Sequence, residues 1–334
     1  MHIERLKLFH FRCFDNLEIE FGDKVNILVG NNAVGKTSIV EAVHYLGLVR
    51  SHRTNIDKEL INFAYPSSFI KGNFKNDDKD LEILISLTDK GKKITMNNKP
   101  YNNISEYLGL INIVLFSPED MELIKGSPAT RRKFLDTTLS QIDNQYLNSS
   151  IKYRKLLKER NELLKTFEKE ENINLVLLDV YTKGLIAEAK VIINKRLEFI
   201  NLINPLLGNK TSSITNQVEK AMIIYEPSVE IDKIESSFKE SLKNDLFYKT
   251  TTKGPHRDDF IININNLNAA LFCSQGQQRT AVLGIKLALA EYINKKNKNM
   301  IIILDDVFSE LDLNRQNEII QLLNKNVQIF ITTT

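Results

Sequence analysis

Residues 30–37 decide the fold of this chain, and they read Gly30-Asn31-Asn32-Ala33-Val34-Gly35-Lys36-Thr37. The stretch matches the pattern G-x-x-x-x-G-K-[ST]. It lies between an apolar run that ends at Val29 and a predicted amphipathic helix over residues 36–49, which is the context that the pattern requires. The two glycines let successive backbone N–H groups point inward, and the start of the helix favours an anion. A glycine turn that only precedes a helix is the alternative. The pattern and its context together predict a phosphate-binding P-loop.

Every residue of the P-loop is a candidate for nucleotide binding. Lys36 is predicted to reach the β- and γ-phosphates, and the hydroxyl of Thr37 is predicted to ligate magnesium. We therefore expect ATP and Mg²⁺ to be the cofactors.

A second element lies near the end of the sequence, where the aliphatic run Met300–Leu304 is followed by Asp305 and Asp306. Such a run is typical of a buried central strand. At the end of that strand Asp305 is predicted to hold magnesium together with Thr37, and Asp306 is predicted to polarise the attacking water. An apolar strand that ends in aspartate is commonly structural by itself, and it is the P-loop that favours a functional interpretation. We predict that Lys36, Asp305 and Asp306 carry out ATP hydrolysis.

A third element stands at the start of a predicted helix and reads Ser274-Gln275-Gly276-Gln277-Gln278-Arg279. A serine and a glycine at a helix N-terminus can bind an anion. Ser274, Gly276 and Gln277 are therefore candidates for nucleotide contact. The alternative is a serine that caps its own helix.

In this order, the motifs resemble those of the ATP-binding cassette (ABC) ATPases. Residues 274–278 resemble the signature loop of that superfamily, and residues 309–312 resemble its D-loop. Within the superfamily the chain is most similar to the RecF family of bacterial recombination mediators, which is related to the SMC proteins. The segments that carry this closer resemblance are residues 51–54, 116–120, 125–128 with Arg131 and Arg132, 254–259, 274–279, 304–307 and 309–312.

The resemblance implies a head-to-tail homodimer that encloses ATP between the P-loop of one subunit and residues 274–278 of the other. It also implies loading onto double-stranded DNA near gaps that contain single-stranded DNA, together with RecR and RecO. Asp306 stands where most cassette ATPases have glutamate, and this shorter carboxylate implies slow hydrolysis, which suits a switch. The switch histidine that follows the last strand in most cassette ATPases has no counterpart before Thr334, and residues 117–120 contain no Q-loop glutamine. The γ-phosphate sensor is therefore not assigned.

The pattern of apolar residues predicts an α/β fold: an ABC-type P-loop ATPase head with an inserted α-helical lobe. The predicted strands are residues 17–21, 24–29, 69–75, 81–87, 92–96, 111–116, 260–264, 300–304 and 328–332. Between residues 129 and 207 apolar residues recur instead at helical spacing. We predict that residues 1–118 form the first part of the head, 119–245 the helical lobe, and 246–334 the second part of the head.

Charge and composition add little about partners by themselves. The 334 residues carry a net charge of +3, which is too small to indicate nucleic acid. Basic residues nevertheless outnumber acidic ones between residues 129 and 160, and this excess predicts either a DNA-contacting surface or a solvated helix face. The candidate phosphate contacts are Arg131, Arg132, Lys152, Arg154 and Lys158.

Cys13 and Cys273 have neither a disulfide framework nor a metal-ligand spacing. No secretory signal or membrane span is visible, so we expect a cytoplasmic protein without membrane contact. Two other functions stay open at this point: the ATPase subunit of another ABC-type system, such as a transporter or an SMC-like protein, and a P-loop phosphotransferase.

Overall fold

In the computed structural model, the described residues are 1–75, 80–101, 103–166, 174–296, 299–307, 316 and 327–334. They divide into two compact units. The first comprises Met1–Asp120, Ser213–Gln217 and Leu283–Thr334, and the second comprises Met121–Ser212 and Val218–Val282. Residues 309–312, the predicted D-loop, lie outside the described residues. No helix in the described part of the chain is long and apolar enough to cross a membrane.

The secondary structure follows the predicted alternation of strands and helices. The strands are β1 (His2–Phe11), β2 (Phe14–Glu20), β3 (Val25–Val29), β4 (Ser67–Lys75), β5 (Leu81–Thr88), β6 (Gly91–Met96), β7 (Lys99–Tyr101), β8 (Asn112–Phe116), β9 (Ala221–Glu226), β10 (Asp259–Ile264), β11 (Leu267–Asn268), β12 (Met300–Leu304) and β13 (Gln328–Thr333). The α-helices are α1 (Lys36–Leu48), α2 (Ile104–Tyr107), α3 (Glu122–Lys125), α4 (Pro128–Ile142), α5 (Asn144–Lys165), α6 (Leu175–Ile214), α7 (Ile234–Glu240), α8 (Leu242–Tyr248), α9 (Ala269–Phe272) and α10 (Gln275–Lys295). Short 3-10 helices cover Asp57–Leu60, Pro118–Met121, Ile231–Lys233 and Pro255–Arg257.

The first unit contains two sheets. An antiparallel sheet has the strand order β2-β1-β4-β5-β6-β7, and a parallel sheet has the order β3-β13-β12-β8. Alternate residues of β4 and β5 are buried, as expected for strands that bury one face. Helix α1 is almost wholly buried and packs against both sheets, because its residues share one hydrophobic core with β1, β4 and β12. At Gly47 an added Cβ would lie 2.4 Å from Ile113 on β8, so only glycine lets the helix approach this closely.

The parallel sheet positions the candidate site. Leu304 of β12 is in register with Phe116 of β8 and with Ile331 of β13, and Ile331 is in register with Ile27 of β3. The carboxyl ends of these strands therefore meet at one edge of the sheet, which is where α/β proteins bind ligands. The P-loop follows β3 at this edge, and Asp305 follows β12. This topology brings the P-loop and Asp305 close together, as the sequence predicted.

The second unit combines the helices α3 to α9 with a sheet in the order β11-β10-β9. β9 falls within residues 119–245, the predicted helical lobe. β9 pairs antiparallel with β10, with Tyr225 opposite Phe260, and this pairing groups residues 218–282 with the helices. The break between the units therefore lies at residue 282, whereas the predicted lobe ends at residue 245.

A buried ionic network holds the second unit together. Arg196 on α6 is 3% exposed and donates to Asp258 at 2.9 Å and to Asp136 at 2.8 Å. Asp258 also accepts from the backbone N–H of Ser228 at 2.8 Å and from the hydroxyl of Tyr225. Because a buried charge is costly unless it is paired, this network ties residues 254–259 to the helices.

Candidate functional site

The P-loop has the curled backbone that phosphate binding requires. Ala33 has φ 66° and Gly35 has φ 101°, so both lie in the left-handed region. At Gly35 an added Cβ would lie 2.5 Å from the ring of Phe14 and 2.9 Å from Sγ of Cys13. The second glycine of the motif is thus required both by its dihedral angle and by the close approach of residues 13 and 14.

The P-loop helix presents positive charge to the loop. Lys36 is 8% exposed, and its Nζ donates to the carbonyl oxygens of Gly30 and of Asn31, the latter at 2.8 Å. Helix α1 has no acidic residue in its first turn, and no side chain in the described ranges caps it. The first N–H groups of the helix and the lysine ammonium are therefore available to an anion in the loop.

The carboxylate of Asp305 lies at the P-loop, as the sequence predicted. Oδ1 of Asp305 accepts a hydrogen bond from Oγ1 of Thr37 at 3.2 Å and from Oγ1 of Thr332 at 2.8 Å. The backbone N–H of Asp305 donates to the carbonyl oxygen of Phe116 at 2.9 Å. Burial raises the pKa of Asp305, and the nearby carboxylates of Asp306 and Glu119 add to this effect, while the two threonine hydroxyls oppose it.

These residues fit a magnesium ion whose coordination is shared with the nucleotide. Among the described residues no group of three or more His, Cys, Asp and Glu could hold a metal ion. Thr37 and Asp305 would supply the protein oxygens, and phosphate oxygens and water would supply the others, which is how magnesium is commonly held. A cation there would offset the cost of the buried carboxylate.

Asp306 is exposed and faces the same cavity as Lys36 and Thr37. Its φ is 53°, and its backbone N–H donates to Oγ1 of Thr332 at 2.9 Å. Aspartate tolerates this left-handed conformation better than most residues. Backbone strain at such a position is typical of functional sites.

A cavity of about 690 Å³ opens over the P-loop, a volume within the range of nucleotide-sized ligands. Of the predicted residues, it is lined by Asn32, Ala33, Gly35, Lys36, Thr37 and Asp306. Arg12, Arg53 and Phe63 also line the cavity, and the sequence did not predict Arg12 or Phe63 as part of the site. No local pattern marks Arg12 or Phe63, since tertiary structure alone brings them to the loop. Arg53, in contrast, belongs to residues 51–54, one of the segments that carry the family resemblance.

The predicted signature loop belongs to the second unit and is capped by its own side chains. The hydroxyl of Ser274 accepts from the backbone N–H of Gln277 at 3.3 Å, and Oε1 of Gln277 accepts from the N–H of Ser274 at 2.9 Å. This reciprocal pair is a capping box. Residues 274–276 are nevertheless exposed, so the start of α10 is accessible to a partner molecule.

The predicted DNA-contacting residues differ in their surroundings. Arg131 is largely buried and makes a bidentate ion pair with Asp259 at 2.7 and 2.8 Å. Arg132 donates to the carbonyl oxygen of Asp258 at 2.8 Å. Arg131 therefore stabilises the second unit through this ion pair, whereas Arg132 is half-buried; phosphate contact by either arginine stays a prediction.

Exposed basic residues remain along α5. Lys152 and Arg154 have side-chain exposures of 68% and 62%, and Lys155 and Lys158 are exposed as well. Each of the two faces a carboxylate: Glu188 lies 3.9 Å from Lys152, and Asp136 lies 3.0 Å from Arg154. Both cations are largely exposed, so water screens these pairs.

Comparison with known proteins agrees with this geometry. Residues 2–334 match the family model described as RecF/RecN/SMC N terminal domain. The chain belongs to this family. It is 40% identical over 346 residues to the DNA replication and repair protein RecF of Lactobacillus johnsonii, a match that covers 100% of the chain and 92% of that protein. The RecF of Bacillus thuringiensis (strain Al Hakam) is 39% identical over 345 residues, with the same coverage.

Solved structures extend the similarity to three dimensions. The recombination mediator protein RecF bound to ATP, from the RecFOR pathway, superposes with a TM-score of 0.92 at 34% identity, covering 99% of this chain and 91% of that one. The Smc head domain of Pyrococcus furiosus gives a TM-score of 0.56 at 16% identity and shares the fold alone. The predicted ABC-type head with helical content and the predicted RecF-like role are thereby confirmed. Full-length similarity to RecF proteins decides against a transporter subunit and a phosphotransferase.

Proposed function

We propose that this chain is an ATP-dependent DNA-binding protein of recombinational repair and replication, which acts in the cytoplasm. ATP and Mg²⁺ join two copies head to tail on double-stranded DNA near gaps with single-stranded DNA, and slow hydrolysis resets them. RecR and RecO are the proposed partners, and loading of RecA at the gap is the proposed outcome. The observation that carries the proposal is the convergence of Lys36, Thr37 and Asp305 at the P-loop.

The residues of the first unit support ATP as the ligand. The backbone curl, the ammonium of Lys36 and the start of α1 favour a phosphate chain, while Thr37 and Asp305 suit the magnesium that accompanies it. The solved RecF structure with ATP is 34% identical to this chain, which supports the same ligand here. When bound, magnesium would neutralise charge on the β- and γ-phosphates.

Hydrolysis is proposed to depend on Asp306. Its carboxylate is exposed to the cavity, where it can accept a proton from an attacking water. Lys36 and the N-terminus of α1 would stabilise the negative charge that develops on the transferred phosphoryl group.

Exposed groups beside the signature loop support the proposed dimer. Leu271 and Phe272 are 73% and 68% exposed, and they shortly precede the capped start of α10. Adjacent large apolar side chains on a surface are typical of a contact with another protein. A second copy would cover them and would bring Ser274 to the nucleotide of its partner.

Asp306→Asn tests the hydrolytic step. Asparagine also tolerates the left-handed conformation, so the backbone at residue 306 should persist, whereas the amide cannot accept the proton. We expect ATP binding within about twofold of the parent and hydrolysis at least about a hundredfold slower, with ATP held in a long-lived dimer. Phosphate release and light scattering measure the two effects. Hydrolysis by Asp306→Asn at the parent rate would assign the water-activating role to another residue.

Replacing Lys152, Arg154 and Lys158 on α5 with glutamate tests the DNA surface. Phosphate contacts carry no sequence information, and each one lost should reduce the slope of log affinity against log salt by about 0.9. We expect weaker binding to double-stranded DNA, a flatter salt dependence and unchanged ATP binding. We also expect the parent to bind DNA more tightly with a non-hydrolysable ATP analogue than without it, since a dimer doubles the surface.

A matched control reverses the same number of charges at Lys233, Lys239 and Lys243, which are exposed around α7 and α8. Equal losses of DNA affinity in the two triple variants would show that binding responds to net charge only. An unchanged salt slope in the α5 variant would move the DNA surface elsewhere. Equal affinity of the parent with and without the analogue would exclude an ATP-driven clamp.

A further inference from the structure

Residues 51–54 are held against the P-loop helix by a hydrogen bond to a buried carboxylate. Glu41 lies on α1, its side chain is fully buried, and it accepts a hydrogen bond from the hydroxyl of Ser51. The same hydroxyl accepts from the backbone N–H groups of Arg53 at 2.9 Å and of Thr54 at 3.2 Å. The turn that carries His52 is therefore fixed relative to the helix that begins in the P-loop.

The ring of His52 is held in place by a second contact with α1. It packs edge-on against His44, with the ring centroids 5.0 Å apart. His44 is itself oriented, because its Nδ1 lies 3.0 Å from the carbonyl oxygen of Arg50. The side chain of His52 is only 10% exposed. The ring is thus held on the side of α1 that faces Asp305.

His52 faces the predicted magnesium carboxylate without reaching it. Its Nε2 lies 4.0 Å from Oδ2 of Asp305, about 1 Å beyond a hydrogen bond. Its Nδ1 is buried and has no hydrogen-bond partner among the described residues. Oδ1 of Asp305 already accepts from Thr37 and Thr332. Oδ2 is therefore the oxygen that faces the imidazole.

We propose that His52 is a positioning residue for Asp305: in the state with bound nucleotide and magnesium, its Nε2–H donates to Oδ2 and fixes the carboxylate against Thr37. The inference rests on the proposed function, since it uses Asp305 as the magnesium ligand. Groups that hold a ligating carboxylate by hydrogen bonds increase metal affinity. The proposal also assigns a role to residues 51–54, because the hydrogen bond between Ser51 and Glu41 positions the imidazole beside Asp305.

The test compares two replacements of similar size. His52→Gln keeps an N–H donor at about the reach of Nε2, and His52→Leu removes it. We would measure the affinity of a fluorescent ATP analogue with EDTA, and the Mg²⁺ concentration that gives the half-maximal increase in affinity. We expect His52→Leu to need about tenfold more Mg²⁺ with unchanged affinity in EDTA, and His52→Gln to stay within about threefold of the parent.

An unchanged Mg²⁺ requirement in His52→Leu would overturn the proposal. Two other results would also overturn it, because each would show a packing role alone. One is an equal rise in the Mg²⁺ requirement of His52→Leu and His52→Gln. The other is an affinity for the ATP analogue that His52→Leu loses as much in EDTA as in Mg²⁺. A parent protein that fails to bind the analogue would instead contradict the proposed function itself.

A second measurement uses the parent protein and therefore does not depend on whether His52→Leu folds. In a ¹⁵N-labelled protein the ring signals of His52 are those absent from His52→Gln. Addition of Mg²⁺ and a non-hydrolysable ATP analogue should shift a ring N–H signal of the Nε2–H tautomer. Ring signals that stay unchanged would contradict the proposal.

Discussion

Lys36→Ala is expected to abolish ATP binding. The ammonium of Lys36 lies over the P-loop and is held by the carbonyl oxygens of Gly30 and Asn31. Arg12 and Arg53 also line the cavity, but both face the carboxylate of Glu41, at 2.7 and 3.6 Å, which already balances positive charge there. Lys36 is thus the side chain best placed to neutralise the β- and γ-phosphates, and its loss should weaken binding by at least about a hundredfold.

Lys36→Arg is the matched variant. It retains the charge, but the guanidinium is larger and planar, so we expect ATP to bind and to be hydrolysed poorly. Equilibrium binding of a labelled ATP analogue and phosphate release distinguish the two variants, and the unfolding midpoint without nucleotide controls for stability. ATP hydrolysis by Lys36→Ala at the parent rate would show that the P-loop assignment is wrong.

The first unit could be predicted well because its decisive features are local. Met300–Leu304 is aliphatic throughout and is buried throughout, so a central strand that ends at Asp305 followed directly. The P-loop needs two glycines at fixed spacing, and the structure shows why Gly35 cannot carry a side chain. The strand β1 was missed, although Arg5-Leu6-Lys7-Leu8 alternates polar and apolar residues as a strand should.

The extent of the second unit could not be predicted because distant pairings decide it. β9 contains Ile223, Ile224 and Tyr225, which suits a strand, but the run is short and follows a long helical pattern. Its place becomes clear only when β10 pairs with it. No local signal places residues 246–282 in this unit.

Charge patterning was similarly ambiguous. Arg131, Arg154 and Arg160 look alike in the sequence, yet Arg160 is fully buried against Asp245 at 2.8 Å, whereas Arg154 is largely exposed. Sequence spacing reports which residues share a helix face and not which carboxylates approach that face from other elements. The proposed DNA surface is consequently narrower than the sequence indicated, and α5 carries most of it.

The structure sharpens what a signature-loop variant should do. Ser274 and Gln277 cap α10, so any replacement of Ser274 removes part of that cap, at a cost of about 1 kcal/mol. Ser274→Ala has this cost without added bulk or charge and is therefore the control for stability. Ser274→Arg adds a long cation at a helix N-terminus, where positive charge is unfavourable and where a partner's nucleotide would have to approach.

Ser274→Arg should therefore leave ATP binding to the monomer intact and remove both ATP-induced dimerisation and hydrolysis. Binding should persist because the P-loop and Asp305 belong to the first unit, whereas Ser274 belongs to the second. We expect light scattering in ATP to give the dimer mass for the parent and the monomer mass for Ser274→Arg, with hydrolysis at least about a hundredfold slower. Ser274→Ala shares the loss of the cap with Ser274→Arg but not the unfavourable cation, so it should unfold at a midpoint between those of the parent and Ser274→Arg while it retains part of the dimer. A Ser274→Arg protein that forms the dimer at the parent's ATP concentration would exclude a nucleotide site shared between two subunits.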